Sequence, residues 1–288
     1  MVDICGITGR ITSVFSLFCA SIIQLVLKTN LALIIGNFCL HWGLLSHEGV
    51  EFIWDTDYIS PGDIHQLLNL PTLEGLLSHI FSSGFPKNFC LPTSLFIASV
   101  VPSQTLHWQN NPNVKILTLK QVPLKGIYVT LGIDRALALW GAGNKWKFPI
   151  LVIDGGTALT YTGADANHTL VGGAILPGLG LQLTSLGEKT GQLPYVIPPE
   201  SLPQRYGLKT QAAIQSGVIY TLISGVKDFI ESWWEDFPQS PVVITGGDRR
   251  LLYNYLQIQY PAIAKRLLID GNLIFMGMKK IIFNNFNS

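Results

Sequence analysis

The stretch "LVIDGGTALTYTG", residues 151–163, is an apolar run that stops at an acid, two glycines and a threonine and then resumes. Apolar and β-branched residues on both sides of the break read as strand, glycine turn, strand. Taken alone, Asp154-Gly155-Gly156-Thr157 favours an ordinary hairpin tip, because Asp and Gly are good turn formers. The alternative is a loop built to hold a phosphate. Backbone N–H groups converge at such a tip, and glycines let the chain approach an anion closely. Thr157 would add a hydroxyl donor, and Asp154 at the strand end would hold a cation bridging phosphate oxygens.

Downstream, "HTLVGGAILPG" (168–178) reads as a third strand ending at Pro177-Gly178, with helical stretches near 179–188 and 210–236. "PVVITGGD" (241–248) is a buried strand entering a Gly-Gly loop, and "RRLLYNYLQIQY" (249–260) is helical. Upstream, "LALIIGNFCLHWGLL" (31–45) repeats the opening pattern, broken at Gly36-Asn37. Leucines at helical spacing over 61–83 predict a helix, and residues 94–102 and 114–119 predict strands. "GIDRALALWGAG" (132–143) reads as a loop entering a helix that Gly141 and Gly143 end.

Two strand–turn–strand units, beginning near 31 and 149, predict a duplicated α/β unit. A Rossmann domain would need GxGxxG between strand and helix, and a P-loop GxxxxGK[ST]; neither occurs in that context. Three glycine tips, at 36, 155–156 and 246–247, move the balance toward phosphate loops, since a nucleotide clamp between two halves needs several.

Composition narrows the function classes. The chain has 288 residues, 48% hydrophobic and only 13% charged, enough for a large core in one or two domains. A formal charge of +1 gives no electrostatic footprint for nucleic acid. Cys5, Cys19, Cys39 and Cys90 form no CxxC pair and read as buried thiols of a reducing cytoplasm. "ITSVFSLFCASIIQLVL" (11–27) is uncharged, but its serines and Gln24 dilute it below the roughly 20 apolar residues of a span. It reads as a helical extension outside the fold (residues 1–30), with a membrane partner not expected. The histidines lack HxxxH or HExxH spacing, no GxSxG elbow occurs, and Trp233-Trp234 reads as packing with a share in an interface.

Asp134 offers two roles. It is an acid followed by Arg135 in a segment poor in other charges. Phosphoryl transfer needs a carboxylate to accept the proton of an attacking hydroxyl. An Asp near a helix start is also an ordinary capping residue.

Together, "GIDR", "DGGTALT", "GGAILPG" and "TGGD", in that order, resemble the type III pantothenate kinase family, from about residue 31 to 283. The resemblance implies an actin-like ATPase and sugar-kinase fold: α/β, two ribonuclease-H-like halves (31–148 and 149–288) with mixed sheets and a nucleotide cleft between them. It implies ATP-dependent phosphorylation of pantothenate, the first step toward coenzyme A, by a cytoplasmic homodimer using Mg²⁺ and a monovalent cation (K⁺ or NH₄⁺). The first phosphate hairpin maps to Ile34, Ile35, Gly36, Asn37, Phe38, Cys39, Leu40 and His41. The substrate loop maps to Gly132, Ile133, Asp134 and Arg135, with Asp134 the proton acceptor. Gly155, Gly156 and Thr157 are implied at ATP, Asp154 at the monovalent cation, and Thr210 at pantothenate.

The chain departs from the family pattern in three places. The first hairpin normally reads Asp-x-Gly-Asn-Thr, and here Ile34 and Phe38 stand for its acid and its hydroxyl. The second hairpin ordinarily ends with another Asp, where Thr162 stands. The usual Thr-Ala after the proline-glycine loop reads Thr190-Gly191. Loss of the acid at 34 leaves Asp154 as the expected carboxylate at the phosphates. It also supports a second reading, a non-catalytic regulatory or interaction protein that keeps the fold; a third is a kinase for another polyol.

Overall fold

In a computed structural model of the chain, residues 29–68, 94–109 and 111–285 are described. The N-terminal extension and most of the helix expected over 61–83 lie outside them. By contact, the described residues form two units: one running to Gln121 and resuming at Met278, the other Val122–Gly277.

The first unit holds β1 (Asn30–Ile35), β2 (Leu40–Leu45), β3 (Val50–Thr56), β4 (Leu95–Ser99) and β5 (Val114–Ile116), in spatial order β3-β2-β1-β4-β5. β1 pairs antiparallel with β2 and parallel with β4; β2–β3 is antiparallel and β4–β5 parallel. β1 is an aliphatic run, buried throughout, as a central strand covered on both faces should be. No strand was expected at β3, whose adjacent Phe52 and Ile53 are both exposed and break the alternation that marks a half-buried strand. Helix α1 (Pro61–Leu68) packs Ile64 and Leu67 into a core with Trp42 and Trp108, and a short α2 (Pro102–Thr105) follows β4.

The second unit repeats this plan. Its strands are β6 (Ile150–Gly155), β7 (Ala158–Ala164), β8 (Leu170–Pro177), β9 (Val242–Thr245) and β10 (Leu267–Ile269), in order β10-β9-β6-β7-β8. Again the first two pairings from the leading strand are antiparallel and the last two parallel. Both sheets are therefore mixed and of one order, the α/β architecture expected of ribonuclease-H-like halves.

The unit's helices are α3 (Ile133–Trp146), α4 (Leu179–Lys189), α5 (Thr210–Asp236), α6 (Arg249–Gln259), α7 (Pro261–Ala264) and α8 (Leu273–Asn285), which starts here. Leu151, Ile153, Leu159 and Tyr161 on one face of β6–β7 pack with Ile219, Leu222, Ile223, Val226 and Ile230 of α5 and with Leu252 and Leu256 of α6. Each such side chain contributes about 1.5–3 kcal/mol on burial. Strand alternation then turns Asp154 and Thr162 to the opposite face, where Thr162 meets Arg135 of α3.

One expectation needs correction. Helix α3 is not ended by its glycines but runs through Gly141 and Gly143 to Trp146. Gly141 is a packing residue: a Cβ there would stand 2.1 Å from the Leu273 carbonyl oxygen at the start of α8. The packing role expected of Trp233 and Trp234 holds, both ring N–H groups being used within the chain. Trp233 Nε1 donates to Ser240 Oγ (2.8 Å), Trp234 Nε1 donates to the Ser240 carbonyl (3.0 Å), and Arg266 covers the Trp234 ring. Among the described residues no helix is long and apolar enough to cross a membrane.

Candidate active site

The β6–β7 hairpin is the point on which the second unit's motifs meet. Its register runs to Gly155↔Leu159, leaving Gly156 and Thr157 as the tip, and the Gly156 amide donates to the Ala158 carbonyl at 3.1 Å. Thr157 is the exposed residue of the tip, with Gly156 half-buried. The "GGAILPG" strand returns beside them: the Gly178 amide donates to the Thr157 carbonyl at 2.7 Å. A Cβ on Gly178 would lie 2.0 Å from the Gly156 carbonyl oxygen.

"TGGD" arrives from the other side. β9 pairs Thr245 with Asp154, and Gly246, at φ +88°, turns the chain in a conformation that favours glycine. A Cβ there would stand 2.3 Å from Asp154 Oδ1. The Asp248 amide donates to the Gly155 carbonyl at 2.8 Å, and burial pushes the Asp248 carboxyl above its ordinary range. Carboxylate chemistry at this tip is therefore not confined to Asp154: Asp248 is a second acid beside the hairpin. The sequence displayed it inside "TGGD", but only the fold sets it against Gly155.

"GIDR" opens α3. Gly132 is the N-cap and makes no side-chain cap, so Asp134 is not the capping residue; it lies in the first turn, where a carboxylate suits the helix dipole. Its Oδ1 accepts the Arg135 amide N–H at 2.8 Å. Burial pushes its carboxyl above the usual carboxylate range, with that N–H and the Arg135 charge pulling the other way. A carboxylate whose pKa burial raises is a stronger base than an exposed one. Arg135 itself is turned inward, and its Nε, Nη1 and Nη2 donate to Thr162 Oγ1, the Tyr128 hydroxyl and the Tyr161 carbonyl.

In the first unit, Ile34, Ile35 and Leu40 are buried strand residues, whereas Asn37 and Phe38 are exposed at the turn and Gly36 is half-buried. The Gly36 amide donates to the Cys39 carbonyl at 3.2 Å, and Tyr58 donates its hydroxyl to the Gly36 carbonyl. His41 Nδ1 stands 2.7 Å from Asp55 Oδ1, and its Nε2 lies 3.5 Å from Cys39 Sγ. Cys39 is thus half-exposed rather than a buried thiol; burial together with Asp55 and Asp57 pushes it up. Cys5, Cys19 and Cys90 lie outside the described residues. Thr210 is the first residue of α5 and exposed, beside exposed Tyr206 and Leu208.

A profile of the type III pantothenate kinase family matches residues 30–232. The chain belongs to that family. A type III pantothenate kinase of Nostoc sp. (strain PCC 7120) is 57% identical over 258 residues, 88% of this chain and 94% of the relative. One from Synechocystis sp. (strain PCC 6803) is 43% identical over 88% of this chain and 90% of its own length. Among solved structures, a Campylobacter jejuni protein described as a Baf family transcriptional activator matches with a TM-score of 0.59. It is 24% identical, over 90% of this chain and all of that one, a likeness of fold. The two glycine hairpins of this chain are unequal: the buried Ile34 side chain offers no oxygen, while the β6–β7 tip carries Asp154 and Thr157.

Proposed function

We propose that this chain transfers the γ-phosphoryl group of ATP to the primary hydroxyl of pantothenate, the first step toward coenzyme A. The observation that carries the reading is the assembly of "GIDR", "GGAILPG" and "TGGD" on the β6–β7 hairpin. Asp134 accepts the hydroxyl proton as the alcohol attacks in line. Gly132, Ile133, Arg135 and Thr210 form the pantothenate loop. The Gly155, Gly156 and Thr157 tip, and the first hairpin from Ile34 to His41 through its turn amides, hold phosphates. Fixed orientation and charge neutralisation supply most of the rate.

The donors at the β6–β7 tip, a carboxylate, a hydroxyl and backbone carbonyls, are hard oxygens that fit K⁺, NH₄⁺ or Mg²⁺. Among the described residues no cluster of three or more His, Cys, Asp or Glu could hold a metal. Asp154 would hold the monovalent cation together with the hydroxyl and carbonyl oxygens of the tip, and Mg²⁺ would be held largely by the ATP phosphates. When bound, these cations neutralise charge on the transferring phosphoryl oxygens.

By chain order the two halves divide near 148/149, each opening on its own strand–turn–strand unit. The reading also includes a cytoplasmic setting and a homodimer. Val129, Tyr206 and Leu208 are 94, 85 and 97% exposed, and a second copy would cover such apolar groups. Leu208→Glu is expected to shift the protein toward monomer in sedimentation velocity; an unchanged dimer removes Leu208 from the contact.

The direct test is coupled ADP release with and without pantothenate, K⁺ and Mg²⁺. Release that depends on pantothenate supports the reading, whereas ATP turnover blind to it defeats it. A non-catalytic role is not favoured, since the relative at 57% identity is named as the kinase.

A further inference from the structure

Arg135 is 8% exposed. A guanidinium is costly to bury unless its donors are used, and here three nitrogens are. Nε donates to Thr162 Oγ1 at 2.9 Å, Nη1 to the Tyr128 hydroxyl at 3.0 Å, and Nη2 to the Tyr161 carbonyl at 2.8 Å. Gly173, opposite Thr162 in the β7–β8 ladder, leaves the space: a Cβ there would lie 2.7 Å from Nη2. All three acceptors are neutral. Thr162 is buried and acts as the anchor, whereas Tyr128 is half-exposed.

Asp134 and Arg135 are consecutive in the first turn of α3. A guanidinium tied to β7 fixes the rotation of that turn, and with it the direction of the Asp134 carboxylate. We infer that Thr162 and Tyr128 are positioning residues for phosphoryl transfer, holding Arg135 under β7 so that Asp134 faces the incoming hydroxyl. This rests on Asp134 being the proton acceptor. The charge acting on that carboxylate is that of Arg135 from its own turn, whose guanidinium also carries the Tyr128 phenol. Tyr161 meets Arg135 through its backbone carbonyl, its ring being stacked on Phe229.

The test is Thr162→Val, which keeps shape and removes the acceptor, compared with Thr162→Ser, which keeps it. The expected result in Thr162→Val is a fall in kcat of roughly tenfold to a hundredfold, with KM for ATP held. The acid limb of kcat/KM for pantothenate should move to higher pH, because a released guanidinium no longer holds the neighbouring carboxyl down. Thr162→Ser should restore both, and Tyr128→Phe should show the same changes in smaller measure. Should Thr162→Val fail to fold, Tyr128→Phe carries the test, its side chain being half-exposed. An unmoved acid limb, or no rescue by Ser, overturns the inference. If Asp134→Asn retains near-wild-type turnover, the proton-acceptor reading falls and this inference with it. If Asp134→Asn is inactive while the limb in Thr162→Val stays put, only the inference falls.

Discussion

Asp134→Asn is expected to lower kcat by about 10²–10⁴-fold while the protein still folds, the loss associated with removing a positioned general base. Asn keeps an oxygen to accept the Arg135 amide N–H, so the first turn of α3 retains its hydrogen bond. It cannot take a proton from the attacking hydroxyl. The pH dependence has a definite sign. The reactive form is the carboxylate, and burial lifts its pKa above the ordinary carboxylate range. The rate should therefore fall on acidification from a higher pH than an exposed Asp would set.

Stability runs the other way. A raised folded-state pKa means the native protein binds this proton more tightly than the unfolded chain does. Ionising Asp134 thus costs stability as pH rises through the window from the unfolded to the folded pKa, and that cost persists at neutral pH. Asn removes it, offset by the loss of a negative neighbour for Arg135. The melting temperature by calorimetry should accordingly stay within a few degrees of wild type. Turnover close to wild type would take the proton-acceptor role away from Asp134.

The fold was legible where periodicity and punctuation agreed. β1–β2 and β6–β7 announce themselves by apolar runs around glycine, and α5 matches its expected span of 210–236. β3 escaped because Phe52 and Ile53 are neighbours and both exposed. Gly141 and Gly143 read as a helix end because, locally, glycine weakens a helix. For Gly141 the reason is the backbone of α8, far away in sequence, which no local pattern contains; for Gly143 it is the Phe148 ring. The site was legible as motifs but not as contacts. The direction of Arg135, inward to Thr162, Tyr128 and Tyr161, depends on how α3 lies on β7. Asp248 stood in plain view, yet its place beside Gly155 comes from the parallel pairing of β9 with β6 and the turn at Gly246.

Asp154→Asn is expected to abolish the response to K⁺ or NH₄⁺ and to lower kcat/KM for ATP by about a hundredfold, as loss of charge stabilisation at a phosphoryl group should. The case rests on place and chemistry. β6 ends at this residue's neighbour, and the Gly246 turn brings backbone against Asp154 Oδ1 so closely that a Cβ at 246 would not fit. The first hairpin offers no carboxylate in its place, because residue 34 is a buried isoleucine whose side chain has no oxygen for a cation. Asp248 is the rival, but it follows the Gly246 turn and approaches Gly155 from the side on which that residue lacks a Cβ, against Leu252. Strand alternation sends Asp154 to the other face. Asp248→Asn should therefore leave the cation response in place. Calorimetric titration of ATP at several K⁺ concentrations separates the two without relying on turnover. Wild type and Asp248→Asn should bind ATP more tightly as K⁺ rises, and Asp154→Asn should not. The reverse pattern would move the cation to Asp248 and leave Asp154 a turn residue.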